Sequence, residues 1–212
     1  MFSLIAVKYR QIIDIESLDI PGKKTTCVVG ESGSGKTTLL RLLNNLISAD
    51  EGDILFRNKS INTYNPIELR RRVVMLPQLP AVFSGTIKEN LLIGLKFSEK
   101  QPPSEQKLCD VMKMVHLLKE LDQDADKLSG GEKQRLALAR VILMDPEVYL
   151  LDEPSSSLDE KTEQFVIEKL VEHTRQNGRT LIMVTHSKKI AQDYSDVIIE
   201  INQGKVVERT EV

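Results

Sequence analysis

Short apolar segments alternate with longer amphipathic segments along most of the chain. The short segments, several of them rich in β-branched residues, predict strands at Thr25–Val29, Ile54–Arg57, Val73–Pro77, Val148–Leu151 and Leu181–Thr185. The longer segments carry apolar residues at helical spacing and predict helices at Thr37–Ile47, Lys107–Leu121, Gly130–Leu143 and Thr162–Gln176. Because buried strands that alternate with helices are typical of a parallel sheet covered on both faces, the pattern predicts an α/β fold with a mostly parallel sheet.

Both ends of the chain follow a different pattern. Apolar and polar residues roughly alternate in Phe2–Val7 and again in Ile12–Ile20, with a polar break between the two segments. This pattern predicts an antiparallel hairpin in the N-terminal region. A second hairpin is predicted near residue 212, with strands at Val197–Ile201 and Lys205–Glu208 around an Asn-Gln-Gly turn.

Residues 79–127 differ from the segments on either side of them. They predict helices rather than strands and contain a proline-rich break at Gln101–Ser104. We therefore expect a single domain covering residues 1–212. Residues 1–78 and 128–212 are expected to form its core, and residues 79–127 an inserted helical lobe.

Composition narrows the range of partners. The formal charge is −2, with 29 basic and 31 acidic side chains, so no nucleic-acid partner is expected. Cys27 and Cys109 lie far apart in the sequence and are expected to be reduced packing thiols of a cytoplasmic protein, although a disulfide remains an alternative. The N-terminus lacks the pattern of a signal peptide, and no apolar run approaches the roughly 20 residues that cross a bilayer. Any membrane part must therefore come from a partner.

One segment matches a phosphate-binding motif at every defined position, G-x-x-x-x-G-K-[ST]. Its glycines let the backbone curl so that several N–H groups converge on a phosphate chain, and the helix that follows adds its positive end. Lys36 is expected to reach the β- and γ-phosphates of ATP, and Thr37 to offer its hydroxyl to Mg²⁺. A chance match in a glycine-rich turn is the alternative, but here a strand precedes the motif and a helix follows it. The predicted phosphate loop consists of Gly30, Glu31, Ser32, Gly33, Ser34, Gly35, Lys36, Thr37 and Thr38.

Two carboxylates follow the apolar strand Val148–Leu151. Ligands of open α/β sheets bind at the carboxyl ends of the strands. We expect Asp152 to hold Mg²⁺, and Glu153, just past the strand, to polarise the attacking water as a catalytic residue. A solvated acidic turn is the alternative, and the phosphate loop upstream argues against it.

The segment Leu128–Glu132, called here the signature segment, resembles the signature sequence of the ABC ATPases. Ser129 supplies a hydroxyl, Gly130 and Gly131 expose backbone N–H groups, and a helix begins at once, which suits a second phosphate-binding device. The alternative, a helix N-cap formed by Ser129, is compatible with that role. The resemblance extends over essentially the whole chain. The signature segment departs from the commoner family pattern in ending with Glu132 rather than glutamine.

The resemblance implies further site residues, in the order expected for the family. Tyr9 is similar to the aromatic residue that stacks on adenine, with an ordinary hairpin tyrosine as the alternative. Gln78 is similar to the catalytic glutamine that touches Mg²⁺ and the attacking water. His186 is similar to the catalytic histidine that contacts the γ-phosphate, and Lys36 joins this catalytic set. Ser155–Asp159, called here the crossing loop, is similar to the loop that reaches the opposite subunit.

The resemblance also implies partners. Two copies are expected to pair head to tail in the presence of nucleotide, through Ser129–Gly131 and the crossing loop, so that ATP binding closes the dimer. A separate polytopic membrane subunit would hold the chain at the inner face of the cell membrane. The segment Gln78–Asn90 is similar to the corresponding segment of exporters, and the short chain resembles the stand-alone ATPases of metal or iron export systems. The rival hypothesis is a non-transport ABC ATPase of iron–sulfur assembly, translation or repair.

Overall fold

The computed structural model describes residues 1–212, which form two sheets and seven helices. The strands are β1 (Phe2–Tyr9), β2 (Ile13–Ile20), β3 (Thr25–Val29), β4 (Glu51–Phe56), β5 (Lys59–Ser60), β6 (Val73–Leu76), β7 (Val148–Asp152), β8 (Thr180–Val184), β9 (Val197–Asn202) and β10 (Lys205–Glu211). The helices are α1 (Lys36–Leu43), α2 (Pro66–Arg72), α3 (Ile87–Phe97), α4 (Glu105–Met114), α5 (Gly130–Met144), α6 (Glu160–Gln176) and α7 (Lys188–Tyr194). The predicted α/β class with a mostly parallel sheet is confirmed.

The central sheet has the strand order β10-β9-β3-β8-β7-β6, and every pair except β10–β9 is parallel. Successive residues of one strand face opposite sides, and both sides are covered. Tyr149 and Leu151 of β7 join the apolar cluster that includes α5 and α6, whereas Val148 and Leu150 join the cluster that includes α1. This double burial explains why the central strands are continuous apolar runs in the sequence.

The N-terminal hairpin forms part of a second, antiparallel sheet with the order β2-β1-β4-β5. The predicted antiparallel region is therefore confirmed, and it also includes β4. The predicted strand Ile54–Arg57 is shorter at its end, because Arg57 and Asn58 have φ angles of 54° and 59° and form the turn into β5. The backbone of β1 continues through Tyr9, beyond the predicted Val7.

Two predicted helices end earlier than their apolar patterns indicate. The first ends at Leu43 rather than Ile47, because Asn45 takes a left-handed conformation with φ 53°. The helix predicted over Lys107–Leu121 covers Glu105–Met114, and His116, at φ 54°, turns the chain away. The seven-residue helices α2 and α7 were not predicted, since so short a segment shows hardly two turns of periodicity.

Residues 79–127 contain α3 and α4, and both helices pack on α5. The partly buried Arg140 of α5 strengthens this packing: its Nε donates to the Asn90 carbonyl oxygen at 2.8 Å and its Nη1 to the Ala81 carbonyl oxygen at 2.9 Å. Burial lowers the pKa of Arg140 from its usual value. The division into a core and an inserted lobe stays a prediction. None of the helices combines the length and the apolar character needed to span a membrane.

Both cysteines are free. Burial raises the pKa of the Cys27 thiol to about 12, so this thiol stays protonated at neutral pH and behaves as a packing group. Cys109 is partly exposed on α4. The structure therefore contains no disulfide cross-link between α4 and the central sheet.

His173 of α6 is the most deeply placed histidine. Its Nε2 is buried without a hydrogen-bond partner, and its ring meets the Tyr149 ring edge-on, with 6.5 Å between centroids. Desolvation lowers the pKa of His173 below 6.5, and Asp145 opposes this shift while Lys107 and Arg179 add to it. The folded state therefore takes up the proton of this residue less readily than the unfolded state does.

We predict that His173 makes the protein less stable in mild acid. As pH falls below 6.5, the unfolded chain protonates His173 first, so the free energy of unfolding decreases. Urea unfolding at pH 7.5 and 5.5 measures this loss, and the His173→Gln variant should lose less stability than the wild type over the same interval. The control is His116→Asn, at an exposed site, and this variant should lose as much stability as the wild type between pH 7.5 and 5.5. Equal losses in all three proteins would contradict the prediction.

Candidate functional site

The carboxyl ends of the parallel strands meet at one edge of the central sheet, beside the start of α1. A cavity of about 380 Å³ lies there. Residues predicted from four separate parts of the sequence line it: the phosphate loop, the segment after β6, the segment after β7 and the segment after β8. The lining residues are Ile12, Ser32, Gly33, Gly35, Lys36, Thr37, Thr38, Gln78, Glu153 and His186.

The curled backbone of the phosphate loop depends on glycine at two positions. Gly30 has φ +141°, and a Cβ atom there would lie 2.1 Å from the Ile201 carbonyl oxygen. Gly35 precedes α1 with φ +107°, and a Cβ atom there would lie 2.9 Å from Ile13 Cδ1. A side chain at either position would clash with the neighbouring strands, so only glycine lets the loop lie against them.

Lys36 is the cation of the cavity. Its Nζ donates to the Gly30 carbonyl oxygen at 2.8 Å and to the Glu31 carbonyl oxygen at 2.6 Å. Desolvation lowers its pKa, and the nearby carboxylates of Glu153 and Asp152 act in the opposite direction. The ammonium group is thus held against the loop whose N–H groups would surround a phosphate chain.

Thr37, which lines the cavity, forms a direct pair with the buried Asp152. The Thr37 hydroxyl donates to Asp152 Oδ2 at 2.9 Å and lies 3.1 Å from Oδ1. Burial raises the pKa of Asp152, and the Thr37 hydrogen bond partly offsets this effect. A hydroxyl and a carboxylate are hard oxygen ligands, which suit Mg²⁺. There is no cluster of three or more His, Cys, Asp or Glu side chains that could hold a metal, which is compatible with a Mg²⁺ that takes most of its ligands from phosphate and water.

Glu153 connects the two remaining catalytic candidates. Its Oε2 accepts a hydrogen bond from Gln78 Nε2 at 2.8 Å, and its Oε1 lies 2.8 Å from His186 Nε2. The Glu153 side chain is only 16% exposed, whereas His186 is half exposed. The Glu153 backbone has φ 51°, in the left-handed region, and the Glu153 N–H donates to the Val184 carbonyl oxygen at 3.1 Å. The carboxylate is therefore fixed at the mouth of the cavity.

The other predicted residues lie outside this cavity. Tyr9 packs against the apolar cluster that includes α1, and the Arg10 guanidinium lies 5.2 Å from the Tyr9 ring centroid. Ser129 caps α5 and forms a capping box with Glu132, so the N-cap reading of Ser129 holds in the structure. The Glu132 carboxylate accepts from the Ser129 N–H and pairs with Lys119 at 3.0 Å, which lowers its pKa to about 2.

The two signature glycines, Gly130 and Gly131, differ in the space beside them. Nothing lies within 4 Å of a Cβ built on Gly130, so this side of the backbone is open, whereas at Gly131 it would meet Ser157 Oγ at 3.2 Å. In the crossing loop, Ser155 is buried and donates to Glu163 Oε1 at 2.7 Å. Asp159 caps α6. The signature segment therefore adjoins the crossing loop of its own chain and leaves the phosphate loop's cavity open.

Two features of the site were not predicted from sequence. Ile12 lines the cavity, although its place in the hairpin pattern indicated only a strand residue. The turn between β9 and β10 braces the phosphate loop, because the Gly204 N–H donates to the Ser34 carbonyl oxygen at 3.0 Å and the Gly204 carbonyl accepts from the Asp14 N–H at 2.9 Å. Both contacts join residues far apart in the sequence, and no local pattern signals them.

A glycine-rich loop that leads from β3 into α1, with Thr37 and Asp152 beneath it, places the domain among the phosphate-loop nucleoside triphosphatases. The sequence profile described as ABC transporter matches residues 13–156, which is more than half of the chain. The chain therefore belongs to the ABC transporter family, as the signature segment indicated, and carries its ATP-binding domain.

Similar proteins include plant, fungal and bacterial sequences. The chain is 41% identical over 196 residues to Protein STAR1 of Oryza sativa subsp. japonica, covering 90% of this chain and 55% of STAR1. It is 37% identical over 194 residues to the ABC-type transmembrane transporter verA of Clonostachys rogersoniana, covering 88% of this chain but 15% of verA. The chain thus spans only part of these relatives. The putative ABC transporter ATP-binding protein TTE0246 of Caldanaerobacter subterraneus is 36% identical over 207 residues, covering 95% of this chain and 85% of TTE0246.

Solved structures of the same fold match nearly the whole chain. A bacterial Atm1-family ABC exporter with ATP bound superposes with a TM-score of 0.88 at 28% identity, over 99% of this chain and 38% of the exporter chain. The ATP-binding cassette MJ0796, in a dimeric post-hydrolysis state bound to ADP and Pi, superposes with a TM-score of 0.87 at 27% identity, over 100% of this chain and 98% of that one.

Proposed function

We propose that this chain binds and hydrolyses ATP to drive an ABC transporter whose membrane-spanning part is a separate subunit. The observation that carries the proposal is the position of Glu153, held between Gln78 and His186 at the mouth of the phosphate-loop cavity. A carboxylate at this place has the cavity on one side and two polar side chains to orient it. This is the arrangement that activation of a water molecule requires.

The proposed nucleotide site follows from the same cavity. The phosphate-loop backbone and the N-terminus of α1 bind the phosphate chain, Lys36 reaches the β- and γ-phosphates, and Tyr9 stacks on adenine. Thr37, Asp152 and Gln78 are the residues that would hold Mg²⁺, and the partly buried Thr37–Asp152 pair is suited to a hard cation. When bound, Mg²⁺ neutralises charge on the phosphate oxygens.

Three side chains then divide the work of hydrolysis. Glu153 accepts a proton from the attacking water at its carboxylate, and Gln78 orients both that water and the carboxylate. His186 is half exposed at the cavity mouth, so its ring can turn toward the γ-phosphate. Ile12 supplies the apolar part of the cavity wall.

A second copy of the chain completes the proposed site. The open side of Gly130 and the exposed start of α5 do not line the cavity of their own chain. A head-to-tail dimer would bring Ser129–Gly131 of one copy onto the nucleotide held by the other, with the crossing loops between them. The dimeric assembly of the MJ0796 cassette supports this arrangement for the present chain.

Mixing two inactive variants tests whether each site is shared between chains. Lys36→Ala damages the phosphate loop and Ser129→Arg damages the signature segment, so each variant alone should be nearly inactive. A mixed dimer regains one intact site, because the undamaged phosphate loop of one chain meets the undamaged signature segment of the other. We expect phosphate release to reappear when the variants are mixed. A mixture as inactive as its components would contradict a shared site.

The proposed partner is a polytopic membrane subunit, which would keep the chain at the cytoplasmic face of the membrane. The names of its relatives support a transport role, among them the transport/processing ATP-binding protein ComA of Streptococcus pneumoniae and the Atm1-family exporter. Metal or iron export is a narrower proposal that rests on the resemblance of the signature segment to that of the ATPases of such systems. The rival is a non-transport ATPase of a soluble assembly.

Reconstitution discriminates these alternatives. We expect the tagged chain to copurify with one polytopic protein from membranes, and the purified pair in lipid vesicles to move cargo only with Mg-ATP. Ferrous iron is the first cargo to assay, and a Glu153→Gln complex is the control for hydrolysis. Transport of another solute without iron would keep the transporter assignment and reject metal export. Stable association with a soluble assembly, and none with membranes, would contradict the transport proposal.

A further inference from the structure

A buried glutamine joins the signature helix to the backbone of Glu153. Gln134 lies in the second turn of α5 and is 5% exposed. Its Nε2 donates to the Glu153 carbonyl oxygen at 2.8 Å, and its Oε1 accepts a hydrogen bond from the Ser157 hydroxyl. One side-chain amide therefore contacts the candidate base and the crossing loop together. Buried amides are retained where both ends are paired, and here both are.

The backbone at Glu153 needs such support. Its φ of 51° is uncommon for a residue other than glycine, and such a conformation persists only where the surroundings fix it. The N–H is held by the Val184 carbonyl in the neighbouring strand, at 3.1 Å. The carbonyl oxygen accepts from Gln134 and, at 3.2 Å, from Ser156 Oγ. Of these contacts, only the one from Gln134 comes from outside the central sheet and the loop that follows β7.

The position of Gln134 also relates it to the signature segment. It lies four residues after Gly130 and three after Gly131, so the three residues share one face of α5. The same Ser157 hydroxyl that donates to Gln134 lies 3.2 Å from a Cβ built on Gly131. A displacement at the start of α5 would therefore move the Gln134 amide, and with it the carbonyl that sets the direction of the Glu153 side chain.

We propose that Gln134 is a positioning residue that aligns Glu153 for activation of water and makes this alignment depend on where α5 begins. The inference rests on the proposed function, in which Glu153 is the base. The role of Gln134 is separate from that of the signature glycines, which face the nucleotide of the other copy in the proposed dimer. Gln134 itself does not line the phosphate-loop cavity.

Two substitutions separate its hydrogen bonds from its volume. Gln134→Met keeps the length of the side chain and removes both hydrogen bonds. Gln134→Glu keeps the size and an acceptor for Ser157, but offers no amide donor to the Glu153 carbonyl. In the dimer with Mg-ATP, each change should lower kcat about 10- to 100-fold relative to the wild type. This is the scale expected when a reacting group is misplaced. The Kd for ATP should stay within about threefold, because the phosphate loop is untouched. Gln106→Met, an exposed glutamine of α4, is the matched control and should keep wild-type kcat.

A double substitution shows whether Gln134 acts through Glu153. In single-turnover measurements, Gln134→Met should cause no further loss in a Glu153→Gln background, because the group that it positions has already been removed. Unchanged kcat in both single variants, full additivity with Glu153→Gln, or a parallel weakening of ATP binding would each overturn the inference. Near-normal turnover of Glu153→Gln alone would overturn the proposed function itself, so the two failures are distinguishable.

Discussion

Glu153→Gln is expected to lower ATP turnover by a factor of about 10² to 10⁴, the usual contribution of a positioned general base. The amide has the size of the carboxylate and can still contact Gln78 and His186, but it cannot accept a proton from water. ATP binding depends on the phosphate loop and should be retained. Closed dimers should therefore accumulate in Mg-ATP, because the step that reopens them is blocked.

Phosphate release and light scattering measure these two effects on the same sample. Glu168→Gln, an exposed acid of α6, is a control that removes one negative charge away from the cavity and should leave both readings unchanged. Near-normal turnover of Glu153→Gln would reject Glu153 as the base. Loss of turnover without any dimer in Mg-ATP would keep the base and reject nucleotide-driven pairing.

Lys36→Ala is expected to weaken ATP binding about 10- to 100-fold, the scale of charged hydrogen bonds to phosphate. The ammonium group is the cation that lines the cavity, and it is held by the Gly30 and Glu31 carbonyl oxygens. The substitution removes the charge and leaves these carbonyls without that donor. Titration calorimetry with ATP measures the change in Kd.

The matched control is Lys113→Ala, an exposed lysine in the last turn of α4. It should keep wild-type affinity. Thermal unfolding of Lys36→Ala shows whether the loop has merely collapsed. An unchanged Kd in a folded Lys36→Ala protein would contradict the phosphate-binding role of the loop.

The sequence predicted those parts of the molecule that local chemistry dictates. The strands β3, β7 and β8 are buried on both faces and had to be apolar throughout, which made them visible as continuous runs. The phosphate loop was equally visible, because its glycines must stand at fixed spacing before Lys36 and Thr37. The rule that ligands bind at the carboxyl ends of parallel strands also placed the carboxylates after β7 near this loop.

Long-range contacts were not predictable in the same way. The amide of Gln134 had an ordinary helical neighbourhood in the sequence, and only the fold brings it to the carbonyl of Glu153. The end of α4 was misplaced because apolar residues continue to Leu121, while the left-handed turn at His116 has no residue type that signals it. The roles of Tyr9 and the signature glycines stay predictions, since they require a nucleotide and a second copy.

The brace at Gly204 makes the shape of the phosphate loop depend on a part of the chain that is distant in sequence. The Gly204 N–H donates to the Ser34 carbonyl oxygen, and β9 lies so close to Gly30 that a Cβ atom there would meet the Ile201 carbonyl oxygen. A substitution in the turn between β9 and β10 would therefore alter nucleotide affinity through the backbone of the loop, although Gly204 itself does not line the cavity.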